Sequence, residues 1–167
     1  MLIRTEAPAD IMPIDTLLKS VFETEAEAEL VMRLRENGKR TLSLVACNDD
    51  GELIGHVFFS PVMLDGEDYS WQGLAPMAIK PEYQRQGIGL AMLEEAKQTL
   101  AELGYPVIVV LGHPDYYPKV GFAPAAPQGI QCAWPVPEDA FMVLEVVPGA
   151  MGDKSGMISY SEEFDVL

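Results

Sequence analysis

Apolar residues recur at helical spacing in two stretches near the start of the chain. From Ile11 to Phe22 they fall on every third or fourth position, which predicts an amphipathic helix. Pro8-Ala9-Asp10 suits its entry, because proline and aspartate are both favoured in a first turn. A second helix is predicted from about Thr24, where Thr24 and Glu27 have the spacing of a capping box. Its apolar face would comprise Leu30, Val31 and Leu34, and Asn37-Gly38 would end it.

Strands become the better prediction after residue 41, where the helical period is lost. Leu2–Thr5 is a short candidate strand, and Leu42–Cys47 is a stronger one. Asn48 to Gly51 then predicts a hairpin turn, because Asp-Gly accepts the positive φ angles of a tight turn. Leu53–Met63 would be the return strand, with Pro61 at an edge or bulge. Trp71–Ile79 would be a further strand, interrupted by Pro76.

The second half of the chain begins with its most regular helix. The segment from Gly87 to Gly104 predicts this helix, and Val107–Leu111 reads as a central strand covered on both faces. A Pro/Gly-rich tail keeps candidate strands at Phe141–Val147 and Met157–Tyr160. The order β-α-α-β-β-β-α-β-α-β predicts a mixed α/β domain around one sheet. The apolar face of the helix would comprise Ile88, Met92, Leu93, Ala96, Leu100 and Leu103.

Composition narrows the classes of partner. The chain has 167 residues, which suits one domain, and 49% of them are hydrophobic, which excludes intrinsic disorder. Its formal net charge of −15 argues against binding to nucleic acid, whose affinity depends on Lys and Arg, and against an anionic membrane surface. The acidity suits a cationic substrate, and it also suits simple solubility.

Cysteine and histidine usage gives no sign of a metal site. Cys47 and Cys132 lie far apart, and His56 and His113 lack the spacing of a zinc-binding helix. The N-terminus lacks the apolar core of a signal peptide, and the longest aliphatic run, Val107–Leu111, is too short to span a bilayer. We therefore expect a cytoplasmic protein with both thiols reduced.

The segment from Leu74 to Gly89 gives the clearest indication of a ligand-binding site. A strand ends at Ile79, a loop follows, and two glycines open the long helix. Such a loop offers successive backbone N–H groups and a helix dipole to an anion, so we interpret it as a diphosphate site. A Walker A loop would need Lys-Ser/Thr after the glycines, and a dinucleotide fingerprint would need a third glycine where Met92 stands. Both nucleotide-binding folds are therefore disfavoured.

The remaining pattern, Gln84-x-x-Gly87-x-Gly89, resembles the Q/R-x-x-G-x-G/A signature of the GCN5-related N-acetyltransferase (GNAT) superfamily. The segment Tyr117–Phe122 (YPKVGF) is similar to a second signature of that superfamily, Y-x-x-x-G-F, in the expected order. Further stretches resemble its YhbS-like branch of predicted N-acetyltransferases, and this likeness covers nearly the whole chain. The stretches are Leu44-Val45-Ala46, Gly55-His56-Val57, Leu111 to Pro114 and the region of Phe141-Met142.

The resemblance implies a GNAT-type mixed fold. Its central sheet would be mostly antiparallel and flanked by helices, with an acetyl-CoA cleft between two splayed central strands. The chain would form a single N-acetyltransferase domain over residues 1–167, with a core at 1–122 and a strand-rich C-terminal extension at 123–167. The extension stretch 123–136 is a candidate acceptor lid or dimer contact, so a homodimer is one option.

By the same resemblance, acetyl-CoA would be the cosubstrate and no metal would take part. Its diphosphate would lie on the loop, and Lys80, Lys97 and Lys119 are candidates for the 3′-phosphate, although a solvated surface role suits each lysine better. Backbone groups of Met77, Ala78 and Ile79 would pair with the pantetheine as an added strand does. The residues of the diphosphate cradle would be Gln84, Arg85, Gln86, Gly87, Ile88 and Gly89.

The implied chemistry is direct acetyl transfer to an amine of a small molecule or peptide. Tyr117 occupies the family's general-acid position, with Tyr116 as its rival. The general base stays open between His113 and the acidic residues of 23–29, for which a structural or solvated role is the alternative. Val110 stands where relatives often have a pantetheine-binding Asn. Two other functions stay open, an acyl-CoA-binding sensor or partner-binding module without turnover and a mononucleotide-binding protein.

Overall fold

The structure, a computed structural model, describes residues 1–167. The chain forms two compact units. Unit 1 comprises Met1–Ser60, Ala75–Ala96 and Glu162–Leu167, and unit 2 comprises Pro61–Leu74 and Lys97–Ser161. The helices are α1 (Ile11–Val21), α2 (Ala26–Glu36) and α3 (Ile88–Leu103), joined by short 3-10 turns. The strands are β1 (Leu2–Thr5), β2 (Leu42–Cys47), β3 (Leu53–Leu64), β4 (Gln72–Ile79), β5 (Val107–Leu111), β6 (Ala123–Pro124), β7 (Ile130–Cys132), β8 (Phe141–Glu145) and β9 (Gly156–Tyr160).

In unit 1, β1, β2 and the first part of β3 form an antiparallel meander. Leu2 lies opposite Cys47 in the β1–β2 pair, and Leu42 lies opposite Phe59 in the β2–β3 pair. The predicted hairpin is confirmed, because the Gly51 amide donates to the Asn48 carbonyl at 3.0 Å and Gly51 has φ +80°. All six residues of β2 are buried.

The first two helices of unit 1 bury the predicted apolar faces. Leu30, Val31 and Leu34 of α2 are at most 1% exposed, and Asn37 ends the helix as expected. The predicted capping box is wrong. The helix begins at Ala26, and Thr24 Oγ1 accepts from the Ala26 amide at 3.2 Å, so the hydroxyl closes the preceding turn and does not reach the helix interior.

In unit 2, β5 lies between β4 and β8, parallel to the first and antiparallel to the second. Four of its five residues are buried, which confirms the prediction of a central strand. The β4–β5 register covers Gln72–Leu74 and Ile108–Val110, and β4 continues past these pairs and through Pro76 to Ile79. Strand β9 runs antiparallel to the end of β3 and parallel to β7. The core of the unit includes Trp71, Val107, Val109, Phe141, Val143 and Ile158.

Helix α3 matches its predicted bounds, with glycines at both ends. Gly87 precedes it with φ +83°, and Gly104 follows it with φ +89°, the left-handed conformation of a helix C-terminus. Ile88, Met92, Leu93, Ala96 and Leu100 are buried as predicted. Leu103 is 57% exposed, so its place on the apolar face was predicted wrongly, because the last residue of the helix lies beyond its last buried turn.

The fold class agrees with the prediction, but the last helix of the predicted order is wrong, because the chain forms only a 3-10 turn, Tyr117–Val120, between β5 and the strands of the tail. The structure is mixed α/β, and its strands pair mostly antiparallel, with β4–β5 and β7–β9 as the parallel pairs. The tail contains the two predicted strands and also the short β6 and β7, which the sequence pattern did not indicate. None of the helices combines the length and apolar character that a membrane crossing needs.

A buried polar chain in unit 1 links His56 to Glu6. Ser43 Oγ lies 2.8 Å from a Glu6 carboxylate oxygen and 2.9 Å from His56 Nε2. A carboxylate only accepts, so the single hydroxyl proton goes to Glu6 and His56 must donate through Nε2. His56 Nδ1 has no partner, and burial lowers the pKa of His56 to about 3. Arg35 and Arg40 neutralise Glu6 at 2.8 and 2.6 Å.

The burial of His56 in this hydrogen-bonded chain of side chains predicts that the folded protein loses stability in acid. His56 stays neutral in the folded protein down to about pH 3, whereas in the unfolded chain it binds a proton below about pH 6.5. Its contribution is therefore complete above pH 6.5 and is lost as the pH falls, at up to about 1.4 kcal/mol per pH unit. Urea unfolding at several pH values should show a shallower acid dependence for His56→Asn than for wild type. Equal slopes would contradict the assignment.

Candidate functional site

The loop between β4 and α3 is fixed by its own side chains. Gln84 Nε2 donates to the Ile79 carbonyl at 2.9 Å, and Gln86 Nε2 donates to the Glu82 carbonyl at 3.1 Å. Both glutamines were predicted to contribute to the cofactor cradle. In the structure their side-chain amides brace the loop against the end of β4 and the turn that follows it.

The backbone N–H groups of this loop form no hydrogen bonds within the chain. Arg85 has φ +62° and Gly87 has φ +83°, so two closely spaced residues adopt the left-handed conformation. No group of the chain accepts a hydrogen bond from the amides of residues 85–89. A concave run of free N–H groups at a helix N-terminus is a site for an anion. All six residues predicted for the cradle, Gln84, Arg85, Gln86, Gly87, Ile88 and Gly89, lie in this loop and the first turn of α3.

Gly87 is needed for its conformation, with open space beside it. A Cβ built on Gly87 would meet nothing within 4 Å, and the residue is exposed. A positive φ is strained for any residue with a side chain. The open space also means that a ligand can approach the backbone at this point.

The strand before the loop is positioned by a glycine on β3. A Cβ on Gly55 would lie 3.0 Å from Ile79 Cδ1 and 3.0 Å from Met92 Sδ, so β4 and α3 both pack closely over that glycine. The Lys80 amide donates to the Ile54 carbonyl at 2.8 Å and extends this attachment. Met77 and Ile79 are half-buried and Ala78 is buried. These contacts set where the loop leaves the strand.

Two of the three lysines considered for a phosphate have other partners. Lys80 Nζ lies 3.0 Å from a Glu52 carboxylate oxygen, and its pKa is raised by that bond. Lys97 Nζ donates to the Val120 carbonyl at 2.7 Å, which ties α3 to the turn after Tyr117. Lys119 Nζ lies 6.0 Å from the centre of the Tyr116 ring. Arg85 is therefore the cation of the loop that has no acidic partner.

In unit 2, Tyr117 is held against the end of β5. A Cβ on Gly112 would overlap the Tyr117 ring, so the ring lies directly on this glycine. Tyr116 and Phe122 meet the same ring edge-to-face, with centroids at 5.1 and 5.7 Å. Gly121, with φ +105°, turns the chain so that Phe122 can return to it. The Y-x-x-x-G-F spacing thus closes an aromatic cluster around Tyr117.

The environment of Tyr117 keeps its phenol protonated. Burial, with a smaller contribution from the neighbouring Tyr116, raises the pKa of Tyr117 to about 12. Burial also raises the pKa of Tyr116. The group is thus a proton donor throughout the neutral range, as the chemistry of a general acid requires.

The candidates for a base are scattered. His113 is exposed after β5. Glu29 pairs with Arg33 on α2, while one carboxylate oxygen of Glu27 is buried without a partner. The side chains of His, Cys, Asp and Glu form no group of three or more that could hold a metal ion.

Sequence reasoning missed two aromatic residues of the tail. Tyr160 on β9 lies over Gly73 of β4, where a Cβ would come within 2.6 Å of its ring. Trp134 stacks on the same tyrosine with a centroid distance of 4.8 Å. Neither residue belongs to a motif, and their contact spans a Pro/Gly-rich segment, so no local signal in the sequence could have paired them.

Comparison with known proteins agrees with this architecture. The model of the Acetyltransferase (GNAT) family matches residues 10–123. The N-acetyltransferase YhbS of Escherichia coli (strain K12) is 44% identical over 165 residues, which covers 99% of each chain. The crystal structure of YhbS from Escherichia coli in complex with CoA aligns with a TM-score of 0.95 over 98% of this chain and 91% of that one. A GNAT acetyltransferase from Brucella melitensis in complex with acetyl-CoA is 31% identical, with a TM-score of 0.82 over 98% and 97% of the two chains.

The chain belongs to the GNAT family of acetyltransferases. Within that family it is similar to YhbS over nearly its whole length, including the tail after residue 123. The resemblance drawn from the two sequence motifs is therefore confirmed.

The Tyr117 environment predicts a delayed ionisation. An exposed tyrosine is half ionised near pH 10, whereas Tyr117 should ionise near pH 12 because burial disfavours the phenolate. Ultraviolet titration of wild type and Tyr117→Phe should therefore coincide through about pH 10 and separate only above it. Loss of an ionisation near pH 10 in the variant would show that the phenol is solvated.

Proposed function

We propose that this protein is an acetyl-CoA-dependent N-acetyltransferase that transfers the acetyl group directly to a primary amine. The observation that carries the proposal is the run of unpaired amides from Arg85 to Gly89 at the start of α3. It is the feature to which a diphosphate would bind. The CoA and acetyl-CoA complexes of two relatives support the same cosubstrate.

Binding of a polyanion by so acidic a protein must depend on local groups. The net charge of −15 repels coenzyme A at long range, but screening limits that repulsion to about 8–10 Å in physiological salt. Gly87, Ile88 and Gly89 would hold the diphosphate through backbone N–H groups, and Arg85 would add the nearby positive charge. Met77, Ala78 and Ile79 would align the pantetheine along β4 by backbone hydrogen bonds.

The reaction needs one nucleophile and one acid. The neutral amine attacks the thioester carbonyl, and a backbone N–H near Ala78 would stabilise the oxyanion that forms. As the C–S bond breaks, Tyr117 would donate its proton to the departing sulfur, which leaves as the thiol of coenzyme A. The amine nitrogen gives up its proton to solvent or to a base, and the products are the acetamide and coenzyme A.

The acceptor is a small-molecule or peptide amine in this proposal. An amine is cationic before it reacts, and the acidic surface would concentrate such a substrate near the protein. Cys47 and Cys132 are both free thiols, which suits a reducing compartment, so we assign the protein to the cytoplasm.

Replacing Gly87 by glutamate should abolish coenzyme A binding. The new carboxylate would occupy the space open to the diphosphate and repel it, so we expect a loss of at least about 100-fold in affinity by calorimetry. Gly104→Glu is the matched control. Gly104 has a similar positive φ, also has nothing within 4 Å of its Cβ position, and lies at the other end of α3. Equal affinities in the two variants would place the cofactor elsewhere.

Replacing Tyr117 by phenylalanine should separate chemistry from binding. The ring contacts with Gly112 and Phe122 are kept and only the acid is lost, so kcat should fall by about 100-fold or more with unchanged coenzyme A affinity. Tyr116→Phe is the control, and its kcat should stay within a few-fold of wild type. If Tyr116→Phe has the larger effect, the acid is assigned to the wrong tyrosine. Turnover absent from wild type across a broad amine panel would favour a sensor.

A further inference from the structure

A small cavity in unit 2 lies between β7 and the start of β8. Its volume is about 210 Å³. Apolar cavities of about 150 Å³ accept a benzene molecule, so this one has room for a six-membered ring or a branched alkyl group. Its wall combines apolar and aromatic side chains with polar groups, and its residues include Ile130, Cys132, Trp134, Phe141, Gln131 and Glu138.

Trp134 provides the aromatic wall of the cavity. One face of its indole is covered by Tyr160, with a centroid distance of 4.8 Å and an interplanar angle of 18°. Tyr160 in turn lies on Gly73 of β4, so the indole is supported by a rigid strand. Among aromatic side chains, an indole is the best partner for an organic cation.

The charged residues that line the cavity and its neighbour are all acidic. Glu138 is its charged lining residue, and a neighbouring cavity of about 300 Å³ shares Ala126 and Glu138 and adds Asp139. No lysine or arginine lines either cavity. Two carboxylates beside an indole and the apolar side chains of the cavity favour a ligand that combines a positive charge with an apolar body.

The wall of the cavity also adjoins the tyrosine cluster of the same unit. Phe141, which lines the cavity, lies opposite Leu111 in the β5–β8 pair, and the Tyr117 ring lies on Gly112, the next residue. Within unit 2 the cavity is therefore close to Tyr117, to which we assign proton donation.

We propose that this cavity holds the apolar body of the acceptor, an amine with a single aromatic or branched alkyl group, while Glu138 and Asp139 attract its ammonium form. The proposal rests on the acetyltransferase function proposed above and specifies its substrate class. Trp134 and Glu138 would be determinants of specificity and would have no part in the chemical step.

Binding and location can be tested with 2-phenylethylamine and its uncharged analogue 2-phenylethanol. By calorimetry the amine should bind wild type about 5-fold or more tightly than the alcohol, and Glu138→Gln should remove that difference. Asp153→Asn, at an exposed acid of the same unit that lines neither cavity, is the matched control and should preserve it. Trp134→Leu should lower the affinity for the amine by about 10-fold. The amine should also protect Cys132, which lines the cavity, from alkylation, whereas Cys47 is buried.

Turnover provides the second arm. Trp134→Leu should lower kcat/KM for 2-phenylethylamine by about 10-fold or more. It should not change kcat/KM for methylamine, which has no apolar group large enough to occupy the cavity. Equal losses for both amines would mean that Trp134 is only structural and would overturn the proposal. Equal binding of amine and alcohol to wild type would also overturn it. If coenzyme A does not bind, the acetyltransferase function fails. If coenzyme A binds and methylamine reacts without an aromatic preference, only the inference about the cavity fails.

Discussion

The loop before α3 must keep a row of backbone N–H groups unpaired if it is to bind an anion. Several contacts within unit 1 hold the loop in the conformation that this requires. Exposed donors in a mobile loop would be hydrated and disordered, so the loop has to be held from outside. Gln84 attaches it to the end of β4, and the Lys80 amide attaches the same end to β3. Asn48 binds the hydroxyl of Tyr83 at 3.0 Å and connects the turn to the β2–β3 hairpin. Each contact uses a side chain or backbone group outside the donor row, so that the row itself stays available.

Net charge is a poor guide to the cofactor of this protein. The acidic total predicts repulsion of anions, yet the proposed cosubstrate is a polyanion and the proposed site is built from neutral amides. Lys80 and Lys97 do not change this balance, because one is paired with Glu52 and the other is hydrogen-bonded to Val120. The acidity has a clearer consequence for the acceptor. Glu138 and Asp139 lie at a cavity without any cationic lining residue.

Local patterns in the sequence predict the elements well, and they fail where tertiary contacts decide. The period of the apolar residues locates α1, α2, β2, β5 and α3 because burial of one face is the main force on each. It misplaces Leu103 because periodicity cannot tell which turn of a helix is the last to be covered. The motif around Gln84 predicts the loop, since its chemistry is contiguous in sequence. Trp134 and Tyr160 could not be predicted, because their contact depends on how the tail folds back across β3 and β7.

The stacking of Trp134 on Tyr160 has an optical consequence. The protein has two tryptophans, and Trp71 is 1% exposed within the core of unit 2, whereas Trp134 is half-buried at a cavity. The emission of Trp71 should be insensitive to added solutes, so any change in fluorescence on titration reports on the other indole. Because Tyr160 lies on Gly73, a substitution at position 73 would displace the ring and alter that emission. The chain therefore contains an intrinsic reporter that reads β4 and the tail through a single stacked pair.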